Sequence, residues 1–126
     1  MGKHKDALKR YTMAASIAVQ RPPWEANNLM REELSAVISN RSAASFETGD
    51  FIGALVDAET VISLRRNWSK GHFRKAKALL GLNKFEDAKE ALRLGLQFEP
   101  GNVELNEFLA DVDKASKAFA AERASA

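Results

Sequence analysis

Lys70 and Arg74 are the residues of this chain best placed to do chemistry. They stand four residues apart in the segment NWSKGHFRKAKAL (67–79), and on a helix that spacing projects both from one face. An ammonium beside a guanidinium can receive two carboxylates, one as a point charge and the other through forked hydrogen bonds. Spacing alone does not separate this arrangement from an ordinary solvated helix face, where charged pairs are commonplace. Arg65, Arg66, Lys75 and Lys77 extend the basic run, so a nucleic-acid surface built on these cations is a second reading. The net charge of +2 is too mild to argue for it.

Other chemistries lack their residues. There is no cysteine, hence no disulfide, thiol nucleophile or thiolate metal site. His4 and His72 are the two histidines, 68 residues apart, which is no metal-ligand spacing. His72 falls about 100° or more around a helix from Lys70 and Arg74 and is expected to pack or lie at the surface rather than act as a base. No glycine-rich phosphate loop is present, and Glu32-Glu33 reads as helix surface. We therefore expect no cofactor, no metal and no enzymatic activity.

The elements that must position these residues are helices. The chain has 126 residues, 45% hydrophobic and 29% charged, enough for one domain with its own core. No apolar run approaches the roughly 18 residues of a membrane span, and the start, MGKHKDALKR, lacks the apolar stretch of a signal peptide. Apolar residues recur at helical spacing, with no sustained alternation of period two. Helices are expected over Lys5–Gln20, from about Trp24–Asn28 to Thr48, over Phe51–Leu64, from Asn67 or Trp68 to Leu82, and over Phe85–Phe98. A last helix follows an Asn102 cap and carries Val103, Phe108, Leu109, Val112, Ala115 and Phe119 on one stripe. Arg21-Pro22-Pro23, Gly49-Asp50, Asn83-Lys84 and Pro100-Gly101 supply the breaks. Residues 121–126 are expected to form a disordered tail.

The chain repeats itself. GDFIGALVDA (49–58) resembles NKFEDAKEAL (83–92), with Phe51 and Phe85, and likewise Ala54 and Ala88, 34 residues apart. GKHKDALKRY (2–11) looks like a third copy. This period belongs to antiparallel helix pairs, A and B, that stack because no pair buries its apolar face alone. Small residues allow the close crossings: Ser42 and Ala76 on A helices, Ala54 and Ala88 on B helices, then Ala14, Val61 and Gly95. Phe51 and Phe85 fill the space between repeats, while Phe46 and Phe108 are expected in the core. A helices line the concave face, and Asn40, one period before Arg74, shares its wall.

With these motifs the chain resembles the tetratricopeptide-repeat (TPR) family over nearly its whole length. The implied fold is an all-α superhelix of antiparallel helix pairs with a C-terminal capping helix. A single domain over 1–120 would hold repeat one without its A helix, repeats two and three, and the cap. Pro100 stands at the family's repeat-ending position; Arg66 departs from it in repeat two. SNRSAA (39–44) and NWSKGHFRKAKAL are similar to A helices of co-chaperone TPR domains, which clamp the acidic C-terminal tail of heat-shock protein 70 or 90. That resemblance implies Asn40, Lys70 and Arg74 as clamp positions, with Phe73 and Lys77 reaching residues further upstream in the peptide. A full clamp also takes a lysine and an asparagine from the A helix of repeat one, which this chain does not contain.

The link after repeat one is longer than the period: 47 residues separate His4 from Phe51. There the sequence AVQRPPWEANNLMREELSAVISNRS resembles the fungal TPR subunit of the endoplasmic-reticulum Sec complex, which serves post-translational translocation. The resemblance implies a cytosolic docking module for heat-shock protein 70 at the membrane face, with other Sec subunits held through regions outside this chain. Trp24 and Leu29 could brace helix 5–20. The alternatives are a generic co-chaperone adaptor for heat-shock protein 70 or 90, and a scaffold for another protein. The nucleic-acid reading loses ground because no base-reading pair recurs in each repeat. We expect neither nucleic acid nor a membrane as a direct partner.

Overall fold

The computed structural model describes residues 23–125, with side chains from residue 27 onward. The helix expected over Lys5–Gln20, the first repeat copy and the packing of Trp24 lie outside the described residues. Five helices follow in order: α1 (Pro23–Glu47), α2 (Phe51–Leu64), α3 (Ser69–Gly81), α4 (Phe85–Phe98) and α5 (Val103–Ser125). Among the described residues there is no strand.

Equivalent stops end equivalent helices. After α1, Gly49 takes φ 85° and the Asp50 N–H returns to the Ser45 carbonyl at 2.9 Å. One period later Asn83 takes φ 60° and the Lys84 N–H returns to the Leu79 carbonyl, also at 2.9 Å. Both are helix C-caps that need a left-handed residue, for which glycine and asparagine carry the smallest penalty. The Asp50 carboxylate then accepts from the Gly53 N–H at 2.9 Å and caps α2. Asn102 caps α5 through the Leu105 N–H at 3.0 Å, as expected. Replacing proline by Arg66 does not change the turn: Arg65 (φ −142°, ψ 78°) and Glu99 (φ −136°, ψ 78°) leave α2 and α4 alike.

Consecutive helices pack as antiparallel neighbours, and α1 also meets α3, as α3 meets α5. The backbones of the outer helices α2 and α4 stand further apart. Inner helices in contact and outer helices splayed make the stack curve, with α1, α3 and α5 on its inner side. The small residues sit at the crossings as expected, with Ala54, Ala58, Ala76 and Ala88 fully enclosed. Ser42 is enclosed too, its hydroxyl donating to the Ala54 carbonyl at 2.8 Å, so no polar atom is stranded there. Phe51 lies against Gly81 and tilts onto Phe46 at 5.4 Å, while Phe85 meets Phe119 on α5 at 5.1 Å. Between α1 and α2, Arg41 grips Asp57 with two bonds, Nε to Oδ2 at 3.0 Å and Nη2 to Oδ1 at 2.9 Å.

Two expectations need correction. Val103 leaves the apolar stripe of the last helix and is largely exposed, while Leu105 is buried in its place. Asn102 ends the turn so that the first residue of α5 faces outward and the third turns to the core. The helix also continues through Ser125, so the boundary at residue 120 falls inside it. The alanine-rich end favours helix, and the Ser125 hydroxyl donates to the Ala121 carbonyl at 3.0 Å.

Gly95 lies where two buried side chains close in on α4. A Cβ there would stand 2.9 Å from the Cβ of His72 and 3.1 Å from a Leu105 methyl. Gly95→Ala would gain roughly 0.5–1 kcal/mol of helix propensity, but forcing two fully buried neighbours apart costs about 1–3 kcal/mol. The expected outcome is net destabilisation, seen as a lower midpoint in urea or thermal unfolding.

Candidate functional site

The basic row of α3 faces the inner side of the curve. Lys70, Phe73, Arg74 and Lys77 sit at successive turns of one face, between α1 and α5. One period earlier the same register holds Ala36, Ser39, Asn40 and Ala43 on α1; one period later it holds Glu104, Glu107, Phe108 and Asp111 on α5. The neighbours of each cation are thus set by the 34-residue repeat.

Arg74 leans toward α1. Its Nε donates to the Ser39 hydroxyl at 3.3 Å, and its guanidinium carbon lies 5.8 Å from the centre of the Phe73 ring. Partial burial pulls its pKa below the ordinary guanidinium value, and the Glu104 carboxylate offsets part of that. Among the described residues it forms no ion pair. Asn40, next to Ser39, is exposed on the same wall.

Lys70 leans the other way. Its Nζ contacts the Glu104 carboxylate at 3.0 Å and lies 5.3 Å from the Phe73 ring centre. Lys77 stands over three aromatic faces, with Nζ 5.2 Å from Phe46 and 5.6 Å from both Phe73 and Phe108. Such faces attract a cation and fix its position without neutralising it. Phe73 is itself nearly buried, its ring 5.2 Å from that of Phe108. It forms the floor of the groove rather than a projecting contact.

Along the groove Lys70, Phe73, Arg74 and Lys77 meet Ser39, Phe46, Glu104 and Phe108, with Asn40 exposed beside Ser39. The 34-residue offset from Phe73, Arg74 and Lys70 points to Ser39, Phe108 and Glu104; Phe46, expected in the core, is half-buried and lines the groove instead. Phe46 shares a small recess with Ser42, Ala43, Arg74 and Lys77, and a wider cleft opens toward Val103, Glu107 and Asp111. His72 is enclosed rather than exposed to the groove. Its Nε2 donates to the Arg66 carbonyl at 2.8 Å and its ring stacks 5.7 Å from Phe98.

The remaining cations do not join this face. Arg65 covers Trp68 at 4.3 Å, and Lys75 pairs with Glu59 at 2.8 Å on the outer side, beside a cleft between α2 and α4. Lys75 thus lies apart from the row of Lys70, Arg74 and Lys77. Among the described residues no cluster of three or more His, Asp or Glu could hold a metal, and no helix is long and apolar enough to cross a membrane.

A scan against protein-family models gives no match. The ER protein translocation subcomplex subunit sec67 of Schizosaccharomyces pombe is 40% identical over 94 residues, covering 75% of this chain and 49% of that protein. The Hsp70-Hsp90 organizing protein of Triticum aestivum is 41% identical over 80 residues, 64% of this chain and 14% of that protein. The chain thus spans about half the length of the first relative and a small part of the second. Among solved structures, the first TPR of Spaghetti (RPAP3), bound to the HSP90 peptide SRMEEVD, aligns with TM-score 0.62 at 25% identity, covering 88% of this chain and 95% of that one.

Proposed function

We propose that this chain, whose all-α fold is that of tetratricopeptide repeats, docks the acidic C-terminal tail of heat-shock protein 70. One observation carries the reading: Arg74 is a half-buried guanidinium with no ion pair among the described residues. Taking a charge out of water is unfavourable unless it is paired, so a groove that keeps one in this state is arranged for an anion from outside. Asn40 donates its amide to the terminal carboxylate or the peptide backbone. Arg74 forks onto one carboxylate and Lys70 meets the other. Phe73 forms the floor, and Lys77, held by its three rings, contacts residues upstream.

The likeness to sec67 supports the finer reading. The chain would recruit the chaperone and its precursor cargo for post-translational translocation at the cytosolic face of the endoplasmic reticulum, with other Sec subunits engaged elsewhere. The likeness to the wheat organizing protein favours a second reading, a co-chaperone adaptor for heat-shock protein 70 or 90. Binding, not catalysis, is the role in both.

Titrating the domain with peptides ending in Glu-Glu-Val-Asp tests the shared core of these readings. Binding in the micromolar range, about −8 kcal/mol, is expected, and C-terminal amidation should weaken it about tenfold by removing one charge-assisted contact. Equal affinity for acid and amide would overturn the proposal. Preference for the heat-shock protein 90 peptide would favour the second reading over the first.

A further inference from the structure

Lys70 already has a carboxylate. Glu104 holds it at 3.0 Å from α5, in the register one repeat after Lys70 itself. The pair pulls the ammonium toward α5, whereas the Ser39 hydroxyl holds Arg74 toward α1. The two cations therefore take their polar partners from different helices. Both partners of the ion pair stay partly exposed, 33% for Lys70 and 50% for Glu104, so water can take over either one. Glu104 also lies in the first turn of α5, where unsatisfied backbone N–H groups favour a negative charge. Releasing Lys70 would leave Glu104 in a tolerable place.

We propose that Glu104 is an internal competitor for the ligand's second carboxylate, and hence a specificity-determining residue of the groove. This rests on the acidic-tail reading above. A ligand with one carboxylate settles on Arg74 and Asn40 and leaves the Lys70–Glu104 pair closed. A ligand ending in aspartate offers two carboxylates and displaces Glu104 from Lys70. The cost of that displacement lowers affinity for the proper ligand and keeps docking short-lived.

The test is Glu104→Gln in the same chain, titrated with a tail ending in Asp and with the same tail ending in Asn. The variant should bind the Asp tail about two- to fivefold more tightly, the span of an exposed ion pair, and the Asn tail with less than half that gain. In a Lys70→Ala background the gain should likewise fall below half. Weaker binding of the Asp tail by Glu104→Gln would show that Glu104 orients Lys70 instead, and would overturn the proposal. So would an equal gain for both tails, or a gain that persists without Lys70. Should the unaltered chain bind the Asp tail and lose it in Lys70→Ala, with no gain from Glu104→Gln, the competitor role alone fails. No binding by the unaltered chain would overturn the acidic-tail reading together with this one.

Discussion

Arg74→Ala is expected to weaken binding of an acidic C-terminal peptide roughly 10- to 150-fold, the loss of about 1.5–3 kcal/mol from one charge-assisted contact. Two features place the effect at the upper end of what a surface cation gives. The guanidinium is half withdrawn from water, so its field on a bound carboxylate is less screened than that of an exposed group. The Ser39 hydroxyl at 3.3 Å and the Phe73 face hold it in one orientation, so little side-chain freedom is lost on binding. The same substitution should not harm the fold, because it removes a partly desolvated charge that lacks a partner ion among the described residues. Calorimetric titration and a thermal melt on one sample therefore form a paired readout, with affinity lost and melting temperature kept or raised. Arg74→Lys should recover little, since an ammonium cannot fork onto a carboxylate while also reaching Ser39. Full affinity in either variant would remove Arg74 from the binding site.

Leu92→Ala should cost about 2–5 kcal/mol of stability. Leu92 is fully enclosed on α4, in the cluster that joins Leu79 and Ala88 to Leu105 and Val112. Alanine would leave a cavity between the third repeat and the capping helix. Against a total stability of about 5–15 kcal/mol for an ordinary domain, that is a large fraction. In a stacked array stability is carried by neighbour interfaces, and α5 lies at one end, packed on α4 with a lesser contact to α3. The loss should therefore show first as fraying of α5, detectable as faster amide exchange over 103–125 than over α2 and α3. Uniform exchange across all five helices would instead indicate one cooperative unit.

Much of the fold was legible because its determinants are local and repeated. The bounds of α2 and α4 follow from Asp50, from the breaks after Leu64 and Phe98, and from apolar spacing alone. Val103 and the end of α5 were misread for opposite reasons. A stripe of apolar residues does not say at which residue the helix turns its face to the core, and a polar, alanine-rich tail has helix propensity that a rule about chain ends overlooks. Phe73 becomes the groove floor only because Phe108 arrives from a helix 35 residues away.

The sequence by itself determined the repeat, the places where helices stop, and the face of α3 that carries Lys70, Arg74 and Lys77. Each of these is set by neighbours within a turn or two, or by a register that recurs every 34 residues. Only the tertiary structure decided what state those cations are in. Lys70 is engaged by Glu104, Arg74 is half buried beside Ser39, and Lys77 stands over three rings, because the curvature of the stack presses α1 and α5 against the two sides of α3. A charged residue in a sequence carries no record of its distance from another helix, and that distance separates a solvated pair from a poised site.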